Sequence, residues 1–242
     1  MESLEGKVAF ITGGTKGIGF GVALALLEAG CHVAITGRDL EKTLAAATIL
    51  NQSADYKGRA IGVVSDVRDF DSQVAAVQET LAEFEKIDIV IANAGVGHFA
   101  PVDELTLKQW KDTIDTNLSG AFYTLKATVN ALKDAKGYYI SISSLAGTNF
   151  FANGTAYNAS KFGLTGFTQA AMLDLRKYGI KTTTIMPGSV ATYFNGHVPN
   201  DDDYWKIQIE DLGKVVVDLL TMSHRTLPSK IEIRPTIPPS VK

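Results

Sequence analysis

KVAFITGGTKGIG, residues 7–19, is the stretch whose reading decides the fold. Its first half carries an unbroken apolar run, Val8 to Ile11, the pattern of a short strand buried on both faces. Its second half is rich in glycine and runs straight into the helical pattern of residues 17–29, which stops at Gly30. Glycines let the backbone turn tightly and approach a pyrophosphate, whose charge is favoured at a helix N-terminus. Gly13, Gly17 and Gly19 do not keep the G-x-G-x-x-G spacing. The order strand, glycine turn, helix therefore carries the inference of a nucleotide phosphate site, with a purely structural turn as the alternative. Thr15, Lys16 and Ile18 belong to the same turn.

Outward from this unit the same alternation recurs. Apolar runs at 32–37 (HVAITG), 59–65, 87–92 (IDIVIA), 137–143 (GYYISIS), 180–186 and 230–234 (KIEIR) alternate with helical patterns at 40–50, 70–85, 107–132, 155–178 and 208–222. Strands separated by helices of ten or more residues imply βαβ crossovers, and so an α/β doubly wound, mainly parallel sheet of seven strands. No Pro/Gly/Ser linker or internal repeat divides the chain, which predicts one domain over residues 1–242. In such a sheet, ligands sit beyond the carboxyl ends of the strands.

Composition agrees and excludes other classes. The 242 residues are 45% hydrophobic and 20% charged, which rules out collagen-like, low-complexity and disordered chains. A formal charge of −3 argues against nucleic acid as a partner. The single Cys31 excludes an intrachain disulfide framework and suits a reducing compartment. The start, MESLEGKVAF, has acids before a short apolar run, unlike a signal peptide, and no apolar stretch approaches the roughly 20 residues of a membrane span. A cytoplasmic protein without a membrane partner is the expectation.

The end of the second strand discriminates the nucleotide. There an acid would hydrogen-bond a ribose 2′-hydroxyl and a base would neutralise a 2′-phosphate. The run is Ile35-Thr36-Gly37-Arg38-Asp39, with Gly37 where the acid would stand. Arg38, helped by Lys16, predicts NADP(H) as the preferred cofactor. Asp39 turned inward would make NAD(H) possible, whereas as the N-cap of the next helix it would not.

Tyr157-Asn158-Ala159-Ser160-Lys161 sets a tyrosine and a lysine four apart, on one face of a helix. Tyrosine titrates near pH 10, and a nearby ammonium lowers that value by stabilising the phenolate. Ser144 stands thirteen residues before Tyr157, at a strand end where ligands are expected. Ser141 and Ser143 share that strand, and alternation alone does not choose among the three.

With these motifs the chain resembles the compact branch of the short-chain dehydrogenase/reductase family, from Gly6 to about Pro235. The resemblance rests on T-G-x-x-x-G-I-G at 12–19, Asp66 after the third strand, N-A-G at Asn93, Ala94 and Gly95, Asn117, Ser144, Tyr157-x-x-x-Lys161, and P-G-x-V-x-T from Pro187 and Gly188 through Val190 to Thr192. It implies a three-layer α-β-α Rossmann fold and an enzyme that moves a hydride between a nicotinamide cofactor and a carbonyl or alcohol. It implies Tyr157 as general acid or base and Ser144 as the group polarising the substrate oxygen. Lys161 would hold the nicotinamide ribose and depress the tyrosine pKa, and Asn117 would hold a relay water. Asp66 and the Val67 amide would meet the adenine and Asn93 the adjoining ribose, while Val190 and Thr192 would fix the carboxamide. Asn93 as a mere tie between strands, and Asn117 as a support for an irregular helical turn, are the alternatives. A homotetramer or homodimer built on the helices at 107–132 and 155–178 is also implied.

The substrate end is less determined. Residues 189–206 are the expected lid, with Tyr193, Phe194, His197, Tyr204 and Trp205, and Phe150, Phe151, His98 and Phe99 are close by in the same reading. These aromatics are either a pocket wall or packing for the lid or an oligomer interface. Asp201–Asp203 reads as a solvated loop. The four histidines have no metal spacing. Lys133, Lys136, Arg176 and Lys177 are a candidate docking patch for an acidic carrier, as the family's 3-oxoacyl reductases would need, or simply solvated helix ends. The ending PSKIEIRPTIPPSVK lacks the glycine-rich closing segment of that branch. An NADPH-dependent ketone reductase leads. An NAD-dependent alcohol dehydrogenase, a 3-oxoacyl-carrier-protein reductase and a non-catalytic nucleotide-binding regulator are the alternatives.

Overall fold

The computed structural model describes residues 3–52 and 56–238. Met1, Glu2 and Pro239, on which the sequence reading drew, lie outside the described residues. Strands β1 (Val8–Thr12), β2 (His32–Gly37), β3 (Ala60–Val64), β4 (Ile89–Ala92), β5 (Tyr138–Ile142), β6 (Lys181–Pro187) and β7 (Lys230–Ile233) form one sheet in the order β3-β2-β1-β4-β5-β6-β7. Every neighbouring pair is parallel, as the expected mainly parallel seven-stranded sheet requires, and without exception. The chain winds outward from β1 to β3 and then crosses back to β4. The carboxyl ends of β1 and β4 therefore flank the switch point where the helices diverge to opposite faces.

Helices α1 (Gly17–Glu28), α2 (Leu40–Leu50) and α7 (Ile209–Leu220) cover one face, and α3 (Phe70–Phe84), α4 (Leu107–Ile114), α5 (Gly120–Ala135) and α6 (Thr155–Leu175) lie on the other. Successive strand residues point to opposite faces. Ile11, Ile35, Ile91, Ile140 and Ile185 pack with α1 and α7, while Phe10, Ala34, Val90 and Tyr139 pack with α5 and α6. Both faces need apolar cover, which is why these strands carry no polar alternation.

Two helical patterns divide where the sequence suggested continuity. The pattern at 107–132 is interrupted by a π-helical turn, Asp115–Ser119, between α4 and α5. A π turn inserts a residue into the helical period and is common at functional sites. It ends at Gly120, where a Cβ would lie 2.8 Å from Val67 Cγ2. The pattern at 155–178 ends as α6 at Leu175, followed by the 3-10 turn Arg176–Tyr178 and Gly179 at φ +77°.

Candidate active site

A cavity of about 1370 Å³ opens along the carboxyl ends of the strands. Every residue expected at the nucleotide or the reacting group lines it except Gly19 and Asn117. Gly19 serves packing: a Cβ there would lie 2.5 Å from both the Gly13 carbonyl and the Asn93 side-chain nitrogen. Gly13 and Gly17 have φ of +66° and +59°, the left-handed region that favours glycine. N-cap side chains close the N-termini of α2, α3 and α4, whereas α1, like α6, has no side-chain cap and no acid in its first turn. Its N–H groups, the adjacent Thr15 and Ile18 and the glycine backbone thus form a donor set suited to a phosphate.

Arg38 also lines the cavity and makes no salt bridge among the described residues. Asp39 is turned away, because its carboxylate accepts from the Lys42 amide at 3.1 Å and caps α2. Gly37 has Thr15 Cγ2 and Thr43 Oγ1 within 2.7 Å of the place a Cβ would take, so a carboxylate cannot stand there without displacing them. Lys16 lies 5.5 Å from the Tyr193 ring centre, a cation–π contact between the glycine turn and the segment after β6.

Asn93 does tie strands. Its amide donates to the Thr12 and Gly13 carbonyls, both at 3.0 Å, while the Asn93 and Ala94 amides donate to Thr12 Oγ1. Asn117 sits in the π turn. Its Oδ1 accepts from the Val96 amide, and its Nδ2 donates to the Val96 carbonyl and to Ser160 Oγ. Both amide hydrogens are thereby engaged, so a relay water would have to be held by something other than this side-chain donor.

The three serines separate clearly. Ser141 pairs with Thr168, and Ser143 with Thr165 and the Lys161 carbonyl, so both hydroxyls face α6. Ser144, which also lines the cavity, has the one hydroxyl of the three that is not engaged with α6; it accepts from the Ala146 amide at 3.1 Å and hydrogen-bonds Tyr157. Lys161 is buried, donates to the Ile142 carbonyl at 2.9 Å, and lies 5.7 Å from the Tyr157 ring centre. The expected lowering of the tyrosine pKa is corrected here. Burial raises the Tyr157 phenol, with the Ser144 hydrogen bond pulling the other way, and burial lowers Lys161 to about 8. Removing water penalises the phenolate and the ammonium alike. Asn158, which the sequence reading passed over, donates to the Ala146 and Asn149 carbonyls and so shapes the loop carrying Ser144.

A chain of charges along the cavity also escaped the sequence reading. Arg68 holds Asp66 with two nitrogens and reaches Asp112 at 3.0 Å, and Asp112 pairs with His98 at 2.9 Å. The Arg68 hydrogen bond holds the Asp66 carboxyl below its usual range. Asp66 and Arg68 are two apart, but Asp112 is far along the chain, and no local spacing signals it.

The segment 189–206 is closed at its base, since Ala191 and Ile207 donate backbone bonds to Ile207 and Ser189. Asp203 is buried and accepts from His197 and Lys206, both at 2.5 Å, which hold its carboxyl at about 2. The solvated reading of Asp201–Asp203 therefore fails for Asp203 and holds for the exposed Asp201 and Asp202. Tyr193, Phe194, His197 and Trp205 line the cavity, while Tyr204 does not. Lys133 and Lys136 stand at the carboxyl end of α5, Arg176 and Lys177 after α6, hence at the opposite edge of the sheet from the cavity.

The family model for short chain dehydrogenases matches residues 7–203. Trans-4-hydroxycyclohexanecarboxylate dehydrogenase of Sinomonas cyclohexanicum is 35% identical over 216 residues, covering 85% of this chain and 83% of that protein. An alcohol dehydrogenase from Thermococcus sibiricus complexed with 5-hydroxy-NADP superposes with a TM-score of 0.88 at 26% identity, over 95% of this chain and 97% of that one. A metagenomic short-chain oxidoreductase in complex with NADP gives 0.83 at 33% identity, over 98% and 100%.

Proposed function

The chain belongs to the short chain dehydrogenase family, oxidoreductases that bind an NAD(P) nucleotide and act on alcohol or carbonyl groups, and from that premise we propose that it is an NADPH-dependent ketone reductase. The observation carrying this reading is that Ser144, Tyr157 and Lys161 line the same cavity as Arg38 and the uncapped start of α1. Its volume exceeds the roughly 300–1,000 Å³ of ordinary ligand pockets, giving room for a dinucleotide and a substrate together.

The residues fit the cofactor. Arg38, free of carboxylate partners, and Lys16 would hold a 2′-phosphate, and the α1 N-terminus with its glycines the pyrophosphate. Asp66 and Val67 would border the adenine, and Pro187, Gly188, Val190 and Thr192 the nicotinamide end. When bound, NADPH supplies the hydride. Ser144 donates a hydrogen bond to the substrate oxygen, and Tyr157 gives that oxygen its phenolic proton as the carbonyl becomes an alcohol. The raised phenol pKa keeps that proton in place until the oxygen gains negative charge. Lys161 orients the cofactor ribose and supports the phenolate once formed. Asn117 is a positioning residue, joining the Val96 main chain to the Tyr157 helix through Ser160.

The substrate proposed is a secondary alcohol or ketone on a compact apolar body. Phe99 and Phe194 flank Tyr157 with Phe151 behind Phe99, and the Sinomonas relative is named for a hydroxylated cyclohexane ring. The carrier-protein alternative loses support from the basic residues at the wrong edge of the sheet, and the NAD alternative from Asp39, which caps α2. The fully assembled set at Asn117, Ser144, Tyr157 and Lys161 speaks against a regulator. Partially exposed Trp110, Phe122 and Phe162 on α4, α5 and α6 support self-association. The test is a panel of ketones, 3-oxoacyl thioesters and alcohols, followed at the NADPH absorbance and repeated with NADH. Turnover confined to NADH, or absent throughout, would overturn the reading.

A further inference from the structure

Gly97 is a glycine with no conformational need to be one. It is buried, and its φ is outside the left-handed region. Space explains it instead: a Cβ there would lie 2.6 Å from Phe194 Cζ, 2.8 Å from Phe194 Cε1 and 2.9 Å from Phe99 Cε2. Two phenyl rings, from separate loops, fill the place of its side chain. Phe194 then meets Tyr157 with ring centres 5.6 Å apart and Phe99 at 6.3 Å, and Phe99 meets Tyr157 at 5.3 Å. Gly154, at φ −92°, is crowded likewise: a Cβ there would meet Asn158 Oδ1 at 2.5 Å and Phe151 Cε2 at 2.7 Å, and the Phe151 ring lies tilted to Phe99 at 6.0 Å.

Two phenyl rings, Phe99 and Phe194, are thus seated against the tyrosine beside the space left by Gly97, and Phe151 backs Phe99. Phe194 comes from the segment after β6, whose turn holds Asn195 and Gly196 at φ +54° and +78° and is pinned through His197 and Lys206 to buried Asp203. Its ring is the far end of a side chain on an exposed turn. An added methyl at position 97 therefore presses first on the Phe194 ring and next on the Phe99 ring, both side-chain atoms, rather than on the main chain.

Resting on the reductase reading, we propose that Gly97 is a specificity-determining position: it lets Phe194 seat against Tyr157, and the seated ring limits the substrate to a compact ketone the size of a single alicyclic ring. Gly97 is a positioning residue acting through Phe194, and Phe194 is the wall the substrate meets.

The experiment measures kcat and KM for cyclohexanone and for the fused bicyclic 2-decalone with NADPH, in wild type, Gly97→Ala, Phe194→Ala and the double variant. Wild type should prefer cyclohexanone. Phe194→Ala should raise the 2-decalone to cyclohexanone ratio of kcat/KM about tenfold or more, the scale on which small differences of pocket fit act. Gly97→Ala should raise KM for cyclohexanone severalfold with kcat and NADPH affinity little changed, and should add less than about twofold in the Phe194→Ala background. Equal effects of Gly97→Ala in both backgrounds, or an unchanged ratio in Phe194→Ala, would overturn the proposal. So would wild-type activity on other ketones but not on cyclohexanone. Absence of turnover with every ketone and alcohol overturns the reductase reading, and this proposal with it.

Discussion

The Lys161 ammonium stands 5.7 Å from the centre of the Tyr157 ring, one helical turn along α6. Both groups are withdrawn from water, so each is held nearer its neutral form than in solution. In the proposed reduction, this neutral phenol beside the Ser144 hydroxyl would be the proton donor to a developing oxyanion. Tyr157→Phe should keep the ring contacts with Phe99 and Phe194 and lose only the proton. Turnover should fall by about 10²–10⁴-fold, the scale of positioned acid catalysis, while NADPH binding by fluorescence stays within a few fold. Full activity in that variant would remove Tyr157 from the proposed acid role.

Lys161 also makes stability depend on pH. The unfolded lysine keeps its proton to its ordinary 10.5, whereas the buried one releases it near about 8. Between those values the unfolded chain binds more protons, so stability rises with pH, by at most about 3 kcal/mol over the whole window. Urea unfolding from pH 8 to 9.5 should show a positive slope in wild type that Lys161→Met lacks. Identical slopes would refute the assignment.

Arg38 follows β2 and makes no salt bridge among the described residues. Arg38→Ala should weaken NADPH by about 10–150-fold, the worth of a charge-assisted hydrogen bond, and leave NADH within about twofold. Titration of both nucleotides checks this, and an equal loss for both would argue for a general phosphate role instead.

Two glycines should respond oppositely to alanine. At Gly13 the φ is +66° and a Cβ would lie 2.9 Å from the Ala94 Cα, so Gly13→Ala should cost about 1–3 kcal/mol and impair cofactor binding. At Gly166, within α6, nothing lies within 4 Å of the added atom, and Gly166→Ala should stabilise by up to about 1 kcal/mol. Thermal melts of the two variants, shifted in opposite directions, would bear this out.

Most of the fold was legible because its signals are local. Residues 32–37 and 40–50 were read to the exact bounds of β2 and α2, since an apolar run, then Asp39 as cap, then a helical period mark them residue by residue. The π turn at Asp115–Ser119 entered only as the irregular turn considered for Asn117, because a helical period with one extra residue still looks helical over ten positions. Alternation could not choose among Ser141, Ser143 and Ser144. The thirteen-residue spacing to Tyr157 selects Ser144, and the structure finds the other two hydroxyls occupied by α6.

The sequence by itself determined the parallel sheet, the glycine turn and the helical face shared by Tyr157 and Lys161, all consequences of backbone geometry over a few residues. Tertiary structure decided the electrostatics and the walls. It set the upward push on Tyr157, the burial of Asp203 between His197 and Lys206, the Arg68–Asp112–His98 chain, and the seating of Phe194 in the space left by Gly97. These depend on what stands near a group once water has left. That is fixed only when segments distant in the chain are brought together.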